Sequence, residues 1–249
     1  MKSCLGIIPI LISAWTHAQD TTHINTDRPD QSDGAYTMHR NVFQVETGAY
    51  VSTLDEYNQA LVQSSMVRYG ITERLELRFL FELGLFNNQY LHTSEAGIFP
   101  FAVCSKIALV KENGLIPDIT LSGYLRLPFA ATQNIRPAHY SSTGVLVMQH
   151  SLGDLFTVAC NAGITRNAED KKLLYPVTAV FILAPKAHFS FFGEYYAFFQ
   201  PLYLPSNNVD FGFLYCTHHH MQFDVALGTT LLPGTKSNFV TLGFSYRFD

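Results

Sequence analysis

Arg74-Leu75-Glu76-Leu77-Arg78-Phe79-Leu80-Phe81-Glu82-Leu83-Gly84-Leu85 decides how the chain is read. Every odd position from Leu75 to Leu85 is Leu or Phe, and the even positions include Glu76, Arg78 and Glu82. Successive side chains of a strand point to opposite faces, so the stretch has one apolar face and one charged face. A soluble sheet hides such an apolar face in a core. A membrane barrel turns it to lipid and keeps its charges in the lumen.

Working outward, similar alternation marks strands near 42–53, 60–70, 74–86, 101–110, 115–127, 139–150, 154–165, 175–184, 187–199, 208–216, 220–231 and 238–248. Most have the length of a tilted membrane strand, ~9–11 residues. Proline has no N–H to donate, so paired strands disfavour it. The links after even strands are tight, as at Gly70-Ile71-Thr72-Glu73 and Ser151-Leu152-Gly153-Asp154. Several links after odd strands are longer: 87–100, 128–138, 166–174 and 200–207. Those near 54–59 and 232–237 are shorter. Short turns at one end and longer loops at the other are the outer-membrane pattern, with the short turns periplasmic. The expectation is an all-β chain, with a transmembrane antiparallel up-and-down barrel of about 12 strands over 42–249.

Composition agrees. Of 249 residues, 14% are charged, well under the roughly 25% of a typical soluble protein. Aromatics also reach 14%, and those near strand ends suit the girdles of a membrane barrel. A net charge of -4 gives no basic surface for nucleic acid. Lys2, the short apolar run Cys4 to Trp15 and Thr16-His17-Ala18 read as a cleaved signal peptide over 1–18. Residues 19–41 are polar and are expected to form a free periplasmic segment, although Arg28 between Asp27 and Asp30 could pair with a charged lumen. Cys104, Cys160 and Cys216 make no disulfide framework.

Parity assigns the lumen. Glu46, Arg68, Glu76, Arg78, Glu82, Lys106, Arg126, Glu194, Asp224 and Arg247 should point inward, five acids and five bases. Unpaired charge is costly in a narrow lumen, so a balanced set should pair with itself. Thr157, Asn161 and Thr178 would give the opposite wall a neutral lining. The strands at 139–150 and 175–184 are apolar on both faces, which leaves their parity open. The charged ladder reads either as a salt-bridged plug or as a polar path for a small solute.

Other constellations carry less. His218-His219-His220 falls on a tight turn, where adjacent rings diverge, so a polar turn is expected rather than a metal site. His139 and Ser141 resemble the His-x-Ser pair of outer-membrane phospholipase A, but that family's flanking Asn and Gly are missing. The glycines form no phosphate loop. No cofactor is expected.

Four segments resemble a known family: Thr26-Asp27-Arg28-Pro29-Asp30-Gln31, Phe43-Gln44-Val45-Glu46-Thr47-Gly48, the run Arg68 to Arg78, and the closing Gly243-Phe244-Ser245-Tyr246-Arg247-Phe248. They are similar to bacterial outer-membrane proteins grouped under a meta-pathway of phenol degradation and often called transporters. The resemblance implies an outer-membrane barrel, exported through the periplasm, and passage of small aromatic or hydrophobic compounds. It supplies no catalytic residues. Outer-membrane lipid, a small solute and the barrel-insertion machinery are the implied partners. One departure is Asp249 after the terminal aromatic Phe248. The functional expectation is a passive channel. The alternatives are a closed structural or surface-interaction barrel and, as a lesser one, a lipid hydrolase using Ser141 and His139.

Overall fold

Alternation over a dozen stretches dictates a wall with two chemically opposite faces, and the chain builds one. The computed structural model describes residues 24–53, 58–186, 188–217, 220–231 and 237–248. The signal peptide over 1–18, together with His218 and His219, lies outside the described residues. The strands are β1 (Phe43–Thr53), β2 (Asn58–Thr72), β3 (Leu75–Asn88), β4 (Thr93–Ile98), β5 (Phe101–Val110), β6 (Asp118–Leu127), β7 (Ser141–Leu152), β8 (Phe156–Arg166), β9 (Leu173–Lys186), β10 (Phe189–Phe199), β11 (Ser206–Cys216), β12 (Met221–Leu231) and β13 (Asn238–Phe248). All pairings are antiparallel between neighbours around the wall, and β1 closes on β13 from Phe43↔Phe248 to Thr53↔Asn238.

Thirteen segments make twelve barrel strands because β4 and β5 share one place in the wall. β5 pairs the first half of β3, from Leu75↔Ile107 to Leu80↔Ala102. β4 pairs the second half, from Leu83↔Ile98 to Asn88↔Thr93. Phe99 and Pro100 interrupt them, as expected where proline removes a donor. The long loop expected over 87–100 is therefore mostly strand, and only residues 89–92 link β3 to β4. The link between β6 and β7 is the longest described and contains two short 3-10 turns, Pro128–Ala130 and Gln133–Ile135.

Proline is not confined to the links. Pro176 lies inside β9 opposite Phe198 of β10. On the β8 side, pairing lapses between Ala162↔Val177 and Thr165↔Leu174. The missing N–H explains that lapse.

The two faces settle the environment. Arg68, Glu76, Arg78 and Lys106 are 0% exposed, whereas Phe81, Leu83, Leu227 and Leu242 are all more than half exposed. A soluble protein has this order reversed. Here the apolar face is the outer surface of a closed barrel and the charges line its interior, as in an outer-membrane barrel. The two open parities resolve the same way, with Val147 of β7 and Val180 of β9 turned inward and buried.

Candidate functional site

The interior site begins with the stretch before the wall. Residues 24–41 carry no regular structure, and their backbone N–H and C=O groups need partners wherever they are buried. They find them in the lumen. At the turn end of the barrel, the N–H of Asn41 donates to Gly70 O at 2.8 Å. The His39 ring meets Glu73 of the β2–β3 turn at 2.7 Å. Further in, the N–H of Met38 donates to Glu76 Oε2 (2.7 Å), and that of Ala35 to Gln149 Oε1 (3.0 Å). Tyr124 donates its hydroxyl to Asp33 at 2.6 Å. At the apex, the Gln31 N–H donates to Glu194 Oε2 (2.7 Å), and Ser32 Oγ contacts both Glu194 and Thr178.

From there the chain returns. Arg28 pairs with Asp224 at 3.2 Å and donates to Thr241 Oγ1 at 3.0 Å. Gln222 Nε2 donates to Thr26 Oγ1, and Gln44 Nε2 donates to Asn25 O, both near the turn end again. Residues 24–41 thus form a re-entrant hairpin inside the barrel, not the free tail expected for 19–41. The physical reason is satisfaction. A narrow lumen cannot hydrate its inward charges fully, and a polar segment supplies counter-ions and backbone partners.

The charged wall is one network around Arg68, Glu76 and Arg78. Arg68 reaches Glu76 Oε1 at 2.6 Å and Glu46 Oε1 at 2.7 Å. Arg78 Nε reaches Glu76 Oε1 at 2.5 Å. Asp27 from the hairpin completes it, 2.6 Å from Arg78 and 3.2 Å from Lys106. Burial alone would raise the Asp27 carboxyl. Arg78, Lys106 and Arg68 outweigh that and hold it well below the usual carboxylate range. Glu82 and Arg126 sit apart, nearer the loop end, and pair with each other at 2.5 Å. Glu194 and Asp224 meet the hairpin from the other side. Arg247 is buried on β13 and faces in.

Every one of the ten inward assignments is therefore placed on the lumen side. Sequence parity missed a further acid. Asp210 of β11 is 0% exposed and stands directly opposite Glu194 of β10. The alternation of Val209, Phe211 and Phe213 around it was the signal.

The opposite wall is more apolar than neutral. Ala159, Val180, Phe192 and Ala226 form an inward cluster, with Ile182 and Leu214 packed against it. The ring of Phe192 occupies the space that a Cβ at Gly212 would take. Between this wall and the hairpin lies a cavity of about 160 Å³, bounded by Ile24, Pro29, Ile182, Phe192, Leu214 and Gln222 among others.

The hydrolase pair is not assembled. Ser141 Oγ donates its proton to Arg166 O at 2.9 Å, and His139 precedes the strand on which Ser141 lies. Among the described residues, no group of three or more His, Cys, Asp or Glu is arranged to hold a metal.

Closed strand order, apolar exterior and charged interior define a bacterial outer-membrane β-barrel whose N-terminal segment folds inward. The family described as "Putative MetA-pathway of phenol degradation" matches residues 26–248, and the chain belongs to it. Among solved structures, the COG4313 outer membrane channel from Pseudomonas putida F1 superposes with a TM-score of 0.72 at 11% identity, covering 88% of this chain and 100% of that one. The NanC porin gives 0.60 at 8% identity over 81% of this chain and 98% of its own. The KdgM porin, in complex with disordered oligogalacturonate, gives 0.59 at 9% identity over 83% and 99%. No curated protein matches the chain in sequence.

Proposed function

We propose that the barrel is a passive outer-membrane channel for small compounds, with aromatic or hydrophobic molecules as its solutes. The observation that carries this reading is the apolar wall inside the lumen. Phe192, Ile182, Leu214 and their neighbours face the interior, where a purely hydrophilic pore would place polar groups. They border a cavity against the hairpin rather than a fully packed core. The family's naming for phenol degradation and the likeness to a channel and to porins support the same direction. In this reading the path runs between the apolar wall and the ladder of Glu46, Glu76, Arg78, Glu82, Lys106, Arg126, Glu194, Asp224 and Arg247. The docked hairpin narrows it, so passage requires the hairpin to yield.

A closed structural barrel is the second reading. The density of ion pairs between hairpin and wall favours it, because so many contacts hold the lumen shut. Reconstitution separates the two. Folded protein in liposomes should admit a monoaromatic solute faster than empty liposomes do, and deletion of 24–36 should raise both uptake and single-channel conductance. Folded protein that admits no solute, with or without the hairpin, would leave only the structural reading.

A further inference from the structure

Among the described side chains of this wall, charge is sorted by face with one exception. Among the described side chains on strands, a single Lys or Arg lies on the outward parity: Arg166, the last residue of β8. Its register partners, Ser142 on β7 and Leu173 on β9, share that face, and Ile164 two residues back is 47% exposed.

Its height explains how an outward arginine is tolerated. β8 starts at Phe156 beside the turn end. Ten residue steps of ~3.3 Å carry the strand about 33 Å. At a tilt of ~40° that is roughly 25 Å of height, the full depth of a barrel's apolar band. Arg166 therefore stands at the outer boundary of the bilayer rather than at the midplane, where a lipid-facing arginine is least tolerated.

The surroundings fit an anion with a lipid body. The guanidinium lies 4.8 Å from the Tyr140 ring centroid, and Nη1 makes one bond, to Tyr140 O at 3.4 Å. A guanidinium has five N–H donors in a planar fork suited to phosphate. The next loop, residues 167–172, folds back on itself through Asn167 and Lys172 and carries Lys171 and Lys172 at the same rim. Asp170 takes Lys172 at 3.2 Å, while Lys171 is exposed. Beside it Leu173, and below it Ile164, Tyr175 and Leu146, present an exposed apolar strip for acyl chains.

We propose that Arg166, with Tyr140 and Lys171, is a docking site on the outside of the barrel for the phosphate of an outer-leaflet lipid of the lipid A kind. The guanidinium grips the phosphate, the Tyr140 ring packs against the guanidinium, and the strip below seats the chains. A free phosphate would use the first of these groups and have no use for the strip.

The test uses the full barrel, folded in detergent. Bis-phosphorylated lipid A and its dephosphorylated form are titrated, and binding is read by native mass spectrometry. A heat-dependent gel shift confirms that each variant is folded. Wild type should prefer the phosphorylated form by about tenfold or more. Arg166→Gln should lose that preference, and Lys111→Gln, which removes one charge at the turn end, should keep it. Retention of the preference in Arg166→Gln overturns the proposal. So does its loss in Lys111→Gln, which would mark bulk charge as the cause. Displacement of lipid A by an equal concentration of inorganic phosphate would mark a free-anion site and overturn it as well.

Discussion

Asp27 of the hairpin and Arg78 of β3 stand 2.6 Å apart, between Oδ2 and Nη2. The same carboxyl is 3.2 Å from Lys106 Nζ and 3.7 Å from Arg68 Nη1. The contact with Arg78 is ionic rather than a well-aligned hydrogen bond, since that Nη2 has no hydrogen-bond partner by geometry. A residue that precedes the wall thus supplies the anion on which three of the wall's buried cations converge.

Asp27→Asn should therefore undock the hairpin. The neutral amide leaves three buried cations short of one anion, and breaking a buried pair costs about 3–5 kcal/mol. The wall has its own hydrogen-bonded ladder, so the barrel should persist. Amide exchange over residues 24–41 should speed up by two orders of magnitude or more, and channel open time should rise. Unchanged exchange in this variant would show that Asp27 does not hold the hairpin.

Glu76→Gln should damage the wall itself. Glu76 takes Arg68 Nε and Arg78 Nε on one oxygen and the Met38 N–H on the other. Without its charge, two fully buried arginines face each other across β2 and β3. A loss of about 3–5 kcal/mol follows from the same desolvation argument. The heat-dependent gel shift should move to clearly lower temperature, further than for Asp27→Asn. Equal shifts in the two variants would place Glu76 among the hairpin contacts only.

What the sequence could and could not disclose follows from how local each signal is. Leu75 to Leu85 announces its faces because every neighbour two residues away repeats the pattern. Asp210 obeyed the same rule and was open to the same reading. The hairpin had no such pattern, because its partners Glu76, Tyr124, Glu194 and Asp224 lie on four different strands. A balance of five acids and five bases among the ten assigned positions also gave no hint that three of those bases, Arg68, Arg78 and Lys106, share Asp27, an anion from outside the wall. The split strand β4–β5 was hidden for a different reason. Thr93-Ser94-Glu95-Ala96-Gly97-Ile98 lacks apolar alternation and is held by its ladder to β3.

Hairpin docking should weaken as pH rises above about 4. Burial first, then Glu194, Asp27 and Asp210, push the Asp30 carboxyl well above its ordinary value. An acid raised in the docked state favours docking below its undocked pKa, ~3.9, and opposes it as pH climbs toward the docked value. Asp27 works the other way, and its contribution is lost progressively as pH falls below about 4. Asp30 is half-buried, so lumen water blunts the effect. Amide exchange over 24–41 should therefore accelerate with pH beyond the intrinsic chemical rate, and Asp30→Asn should reduce that excess. Glu194 and Asp210 share the corner, so some slope should survive. A slope that is unchanged in Asp30→Asn would exclude Asp30 as its source.

One tight joint between hairpin and wall is the pocket made by two glycines. Gly48 and Gly243 face each other across β1 and β13, and the Arg28 guanidinium fills the space between their Cα atoms and Asp224. A Cβ on Gly243 would overlap Arg28 Nε and crowd Asp224 Oδ1. Both obstacles are side chains, so the backbone can stay in place while Arg28 is expelled from its ion pair. Gly243→Ala should weaken docking by about 1–3 kcal/mol, the usual size for overpacking at a tight site. If the cause is Arg28, the same substitution should cost far less in an Arg28→Ala background, since contacting residues couple by about 0.5–3 kcal/mol. Hairpin exchange rates in the four members of that cycle measure the coupling. Additive effects would mean that Gly243 is required by the strand itself, and the glycine pair would then have no part in seating the hairpin.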